Sequence, residues 1–129
     1  MSEAKSVRVA VVQAAATPFD RDAAVDKVCE MTAQAAEQGA RLVLFPEAYV
    51  GGYPWGLSFG TVVGGRSEAG RRVWERYWSD AVDVPGPEVA RMSEAAEAAG
   101  VHLCVGVIER DSTYSGGTLF CTLLYIGPD

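Results

Sequence analysis

Residues 41–56 read RLVLFPEAYVGGYPWG. Arg41 to Phe45 is a short apolar run after its first residue, the pattern of a strand buried inside a sheet. Pro46 cannot donate a ladder hydrogen bond, so it ends that strand. Glu47 therefore stands just past a strand's C-terminal end, where open α/β sheets gather their ligands. From Ala48 to Gly65 the chain is loop-like, rich in glycine and aromatic residues.

The sequence on either side sets the fold class. Val7 to Gln13 (VRVAVVQ) is nearly all apolar, which predicts a strand buried on both faces. Thr17-Pro18-Phe19-Asp20 is a turn, with Asp20 placed to cap a helix over Arg21 to Gln38. Val25, Val28, Thr32, Ala35 and Ala36 share one side of that helix, and Gly39 suits the left-handed position that closes it. Strand, helix and strand in quick succession imply parallel pairing. Ser67 to Ala81 reads as a second helix, with Trp74, Tyr77, Trp78 and Ala81 at helical spacing. Val84-Pro85-Gly86-Pro87 is a break, and Pro87 is suited to open a third helix lined by Val89, Met92, Ala95, Ala96 and Ala99 and closed by Gly100. Val101 to Ile108 and Thr118 to Ile126 are strands around the polar turn 111–117, which predicts a hairpin. The order β-α-β-loop-α-α-β-β is α/β with a mixed sheet.

The chain has 129 residues and 49% apolar composition, enough for one globular domain with a real core. Its net charge is −6, which argues against a nucleic-acid partner, whose phosphates need a basic stripe. Arg66, Arg71, Arg72 and Arg76 are the densest basic cluster, and Glu68 and Glu75 dilute it into a solvated helix face. No stretch nears the roughly 20 apolar residues that span a bilayer, and no apolar leader precedes the first strand. Cys29, Cys104 and Cys121 are widely spaced, so neither a metal pair nor a disulfide framework is expected. A reducing cytoplasm is the expected home.

Glu47 is the sharpest candidate for chemistry. Phe45, Pro46, Tyr49, Tyr53 and Trp55 surround it in sequence and would desolvate its carboxylate, raising the pKa toward that of a general base. A carboxylate that caps a turn or pairs with an arginine fits the residues equally well. Tyr53, Pro54 and Trp55 either line a substrate pocket or pack their loop onto the sheet. Trp74, Tyr77 and Trp78 read as helix-face packing or a subunit contact. Cys104 and Cys121 lie mid-strand and Cys29 lies on a helix, so all three read as packing residues. His102 opens a strand and reads as structural or exposed. Glu109, Arg110 and Asp111 read as a solvated turn at a strand end.

The segment Leu42 to Gly56 closely resembles the first signature of the nitrilase superfamily of carbon–nitrogen hydrolases. The opening VRVAVVQAAATPFDRDAAVDKV resembles the same family's first strand and helix, and the later VPGPEVARMSEAAEAAGVHLCVGVIERD resembles its following helix and strand, so the likeness runs from Val7 to Asp129. The loop is more similar to true nitrilases than to the amidase or carbamoylase branches. This resemblance implies part of a four-layer α-β-β-α sandwich, with residues 1–129 forming the N-terminal part of a single domain. It implies a Glu-Lys-Cys hydrolase that converts a small-molecule nitrile to a carboxylic acid and ammonia without metal or cofactor, with Glu47 as general base and Tyr53, Pro54 and Trp55 beside the active site. It also implies a homo-oligomer, since family members assemble through helical surfaces. The family's lysine and its Cys-Trp-Glu nucleophile have no match here. Lys5 and Lys27, the only lysines, fall elsewhere, so the chain alone is expected to be inactive.

Overall fold

The computed structural model describes residues 6–62 and 65–129. Its main sheet has the order β1-β2-β5-β6, built from β1 (Val9–Val11), β2 (Leu42–Leu44), β5 (His102–Arg110) and β6 (Leu119–Ile126). β1, β2 and β5 run parallel and β6 returns antiparallel to β5, so the sheet is mixed as expected. A separate two-stranded ribbon, β3 (Thr61–Val62) with β4 (Gly65–Arg66), corrects the expectation of an unbroken loop to Gly65.

The three expected helices form, and their end signals explain where. In α1 (Arg21–Glu37), the Asp20 carboxylate accepts from the Ala23 amide at 3.1 Å, and Gly39 follows at φ +85°. Ser67 Oγ likewise accepts from the Gly70 amide at the start of α2 (Glu68–Asp80). Such caps stabilise a helix by about 1 kcal/mol each. Pro87 opens α3 (Pro87–Ala99), and Gly100 ends it in the left-handed region at φ +64°.

α1 and α3 lie against each other on one face of the sheet. Val25, Val28, Met92 and Ala96 are fully buried there, together with Val43, Leu103, Val105 and Val107 from the strands. Arg91 of α3 reaches across to the carboxylates of Asp22 and Asp26 on α1. Alternate residues of a strand point to opposite faces, so Cys104, Gly106 and Ile108 look the other way. That second face is covered only at the strand ends. There Ile108 packs with Ala48, Tyr77 and Ala81, which brings α2 over the end of β5.

The rest of the second face is open, which corrects the prediction that the first strand is buried on both sides. Val7, Val9 and Val11 are 63%, 54% and 66% exposed. β1 is an edge strand, and only the face carrying Ala10 and Val12 meets the helices. Among the described residues nothing covers the side that carries Val9 and Val11.

Candidate active site

The geometry around Glu47 follows from a mismatch between two neighbouring strands. The Phe45 amide donates to the Cys104 carbonyl at 2.8 Å, and the next such bond on the same neighbour is from Val50 to the Gly106 carbonyl at 3.1 Å. One chain advances five residues while β5 advances two. Pro46 to Tyr49 thus lie opposite the single residue Val105 and must bulge out of the ladder. Ala48 sits at φ +49° within the bulge, a conformation that non-glycine residues adopt only when their surroundings enforce it.

The bulge lies against Gly106. A Cβ there would fall 2.5 Å from the Pro46 carbonyl oxygen, 2.6 Å from the Ala48 nitrogen and 2.7 Å from the Glu47 Cα. Glycine is thus required at position 106 for β5 to pass beneath the turn that holds Glu47. A glycine inside a strand pattern is the sequence signal for such a close approach, and the reading of Val101 to Ile108 passed over it.

Pairing register then decides what meets Glu47. Leu123 pairs with Gly106, and Cys121 pairs with Ile108, so both share the face on which the bulge stands. The result is a cavity of about 370 Å³ lined by Leu44, Phe45, Glu47, Gly106, Cys121, Thr122 and Leu123. Its walls are mainly apolar, with a carboxylate and a thiol as its chemical groups. Cys121 Sγ donates to Glu47 Oε1 at 3.3 Å. The Cys121 thiol is raised above its ordinary 9.0, first by the partial desolvation of its sulfur against the cavity wall, then by its hydrogen bond to Glu47 and the charge of that carboxylate. It therefore stays protonated near neutrality and acts as a donor.

Two expectations are corrected here. Cys121 is exposed and bonded to Glu47, not a buried packing residue. Glu47 is itself exposed, so the expected poorly hydrated niche is not formed by the aromatic residues nearby in sequence. Phe45 and Tyr49 instead face the helix side, with their rings 5.0 Å apart in the core. Tyr53 is 63% and Trp55 88% exposed, and neither they nor Pro54 line the cavity.

The remaining candidates sort clearly. Cys104 is buried, and burial raises its thiol pKa. Cys29 is partly buried, and its thiol is also raised, chiefly by burial. His102 is exposed at the start of β5. Lys27 Nζ donates to the Ala15 carbonyl at 2.8 Å, and Lys5 lies outside the described residues. Tyr77, read from the sequence as helix-face packing or a subunit contact, packs on its helix face and also supports the site. Its hydroxyl donates to the Gly52 carbonyl at 2.9 Å, and its ring packs with Phe19, Phe59 and Trp74, which anchors the glycine-rich loop to α2. Burial, and then the neighbouring Cys121, Tyr53 and Asp80, push its pKa up to about 12. Arg110 is not in a solvated turn. It grips both Asp83 oxygens, at 3.1 and 2.7 Å, with its guanidinium over the Trp78 ring. Glu109 accepts from Thr122 Oγ1 at 2.6 Å, and the Asp111 carboxylate accepts from the amides of Thr113, Tyr114 and Ser115. Among the described residues no group of three or more His, Cys, Asp or Glu could hold a metal ion, and no helix is long and apolar enough to cross a membrane.

Residues 8–129 match the family model for carbon-nitrogen hydrolases. The chain belongs to the carbon-nitrogen hydrolase family. It is 46% identical over 122 residues to an aliphatic nitrilase from Sinorhizobium fredii, covering 95% of this chain and 38% of that protein. It is 47% identical over 124 residues to a bifunctional nitrilase/nitrile hydratase from Lupinus angustifolius, covering 96% of this chain and 34% of that one. The chain thus spans little more than a third of the length of these curated relatives. An amidase from Nesterenkonia sp. shares its fold, with a TM-score of 0.59 at 23% identity, covering 95% of this chain and 38% of that structure. A double mutant of the amidase from Nesterenkonia sp. AN1 in complex with acrylamide superposes with a TM-score of 0.62 at 19% identity, over 99% of this chain and 41% of that structure. The α/β nitrilase-like fold with a mixed sheet is therefore what this chain adopts.

Proposed function

We propose that this chain supplies the general base of a nitrilase, a hydrolase that converts nitriles to carboxylic acids and ammonia, and that Glu47 is that base. The observation that carries the reading is the bulge that lifts Glu47 off the end of β2 into an apolar-walled cavity beside β5. The curated relatives at 43–48% identity support a nitrile as the substrate class.

In this reading a cysteine thiolate attacks the nitrile carbon and forms a thioimidate. One water adds and ammonia leaves, giving an acyl thioester. A second water releases the carboxylic acid. Glu47 takes the proton from the thiol and later from each water, which is general-base work at a single carboxylate. A lysine stabilises the charge that develops at the reacting centre. Lys27 is bonded to the Ala15 carbonyl, away from the cavity, and neither Lys5 nor Lys27 matches the family's motif, so the lysine and the nucleophile are proposed to come from sequence outside residues 1–129. The same sequence would cover the open sheet face and complete the four-layer sandwich of one domain. Tyr53, Pro54 and Trp55 then become pocket wall once that covering is in place, and the family's helical surfaces make a homo-oligomer of the whole. A cytoplasmic setting without metal or cofactor fits this chemistry.

The test is ammonia release by the intact gene product from an aliphatic nitrile, an aromatic nitrile and the matching amides. Nitrile-dependent ammonia that falls by at least about 100-fold in Glu47→Gln supports the reading. Release from the amides alone moves the assignment to amide hydrolysis. No release from either overturns it in favour of a non-catalytic chain, and full activity in Glu47→Gln overturns the general-base role of Glu47.

A further inference from the structure

We infer that Cys121 is a positioning residue for Glu47, its S–H fixing one carboxylate oxygen so that the other faces the reacting atoms. This deepens the function proposed above and rests on it.

A glutamate on a surface bulge has free rotation about its last side-chain bonds, and a general base must present one oxygen within hydrogen-bond reach of the proton it takes. The fold provides a single restraint among the described residues, the contact from Cys121 Sγ to Oε1 at 3.3 Å. No described residue bonds Oε2. Strand register puts Cys121 on the cavity face of β6, opposite Ile108, whose far side is sealed by α2. The thiol is therefore delivered by a packed hairpin and not by a mobile loop. Leu123, two residues on, shares its face and forms the apolar wall beside it.

The same geometry separates this role from that of a nucleophile. Among the described residues no lysine, arginine or histidine lies beside the Cys121 sulfur; the Ala48 backbone hydrogen bond favours a thiolate, and burial and the adjacent carboxylate outweigh it. A thiol so placed gives a hydrogen bond and keeps its proton. A serine hydroxyl can make that same bond, whereas serine in place of a nucleophilic cysteine abolishes turnover.

Two measurements on the intact gene product test the inference. The first follows iodoacetamide alkylation of each cysteine at pH 8 by peptide mass spectrometry. Glu47→Gln is expected to speed Cys121 labelling by roughly threefold to tenfold by removing the neighbouring charge, while Cys29 and Cys104 stay unchanged and report that the fold is intact. Unchanged Cys121 labelling overturns the inference. The second measures kcat and KM against pH. Cys121→Ala is expected to lower kcat roughly tenfold with little change in KM, and Cys121→Ser to restore it. Equal loss in both variants, or no loss in Cys121→Ala, overturns it. Absence of all nitrile and amide hydrolysis in the unsubstituted protein overturns the proposed function instead, and the labelling arm still reads the contact directly.

Discussion

The two faces of the sheet differ more than their residue composition. On one, Leu103, Val105 and Val107 are sealed beneath α1 and α3 at 0% exposure. On the other, Leu44, Leu123 and Tyr125 are 39%, 45% and 77% exposed, although they are no less apolar. The closed face is where the chain's own folding energy is gathered. The open face is where its chemistry stands, since the Glu47 bulge, Cys121 and the cavity all lie on that side. An apolar strand reports that burial is available, and only the neighbouring layer decides whether it is realised within a given stretch of chain.

The largest expected effect tests that division directly. Leu103→Ala removes side-chain volume from a site with no exposure and is expected to destabilise the fold by about 2–5 kcal/mol. Leu123→Ala on the open face is expected to cost less than about 1 kcal/mol, because 45% of its surface is already in solvent and no close-packed void is left behind. Urea unfolding followed by far-UV circular dichroism compares the two. Equal losses would mean that the open face is already covered by another copy of the chain in solution.

A smaller effect is expected where the two faces exchange influence through the backbone. Gly106→Ala places a methyl group 2.5 Å from the Pro46 carbonyl oxygen, so the bulge has to shift away from β5. Overpacking of this kind costs about 1–3 kcal/mol. The displaced turn also carries Glu47 away from Cys121, so alkylation of Cys121 is expected to accelerate alongside the loss of stability. Destabilisation without a change at Cys121 would show that the bulge moves as a rigid unit with β6.

Which parts of this arrangement could be read from the sequence follows from the same contrast. The first and third helices are legible because their ends carry chemistry of their own, Asp20 and Pro87 at the starts and Gly39 and Gly100 at the ends, and the second is legible from the helical spacing of Trp74, Tyr77, Trp78 and Ala81. The parallel pairing and the final hairpin followed from element order and the polar turn at 111–117. The burial of β1 was misjudged because VRVAVVQ reads the same whether one layer or two covers it. Cys121 was missed because LFCTLLYI lacks a clean alternation, so its two faces cannot be told apart without the register to β5. Glu47 was legible as a position after a strand, whereas its exposure was not. Residues adjacent in sequence, Phe45 and Tyr49, turn to the opposite side of the sheet through the bulge. Arg110 looked like part of a solvated turn because Asp83 and Trp78, which hold it, arrive from a distant helix end.

That ion pair gives the smallest effect and a sign to check. Arg110 hydrogen bonds hold the Asp83 carboxyl below its ordinary value of 3.8. In the unfolded chain the group returns to that ordinary value. The folded state therefore binds the proton less readily, and the pair contributes stability at pH values above the unfolded pKa that is lost as pH falls through the lower folded pKa. The Asp83 side chain is 35% exposed, so solvent screening keeps the contribution within about 1 kcal/mol. Asp83→Asn should accordingly lower the urea midpoint at pH 7, and the gap to the unsubstituted chain should close as the pH falls below the ordinary carboxylate range. A gap that persists at low pH would assign the loss to packing of Arg110 on Trp78, which does not titrate. The closed end of the sheet would then be held by stacking and apolar contact alone, with charge adding nothing measurable where α2 meets β5.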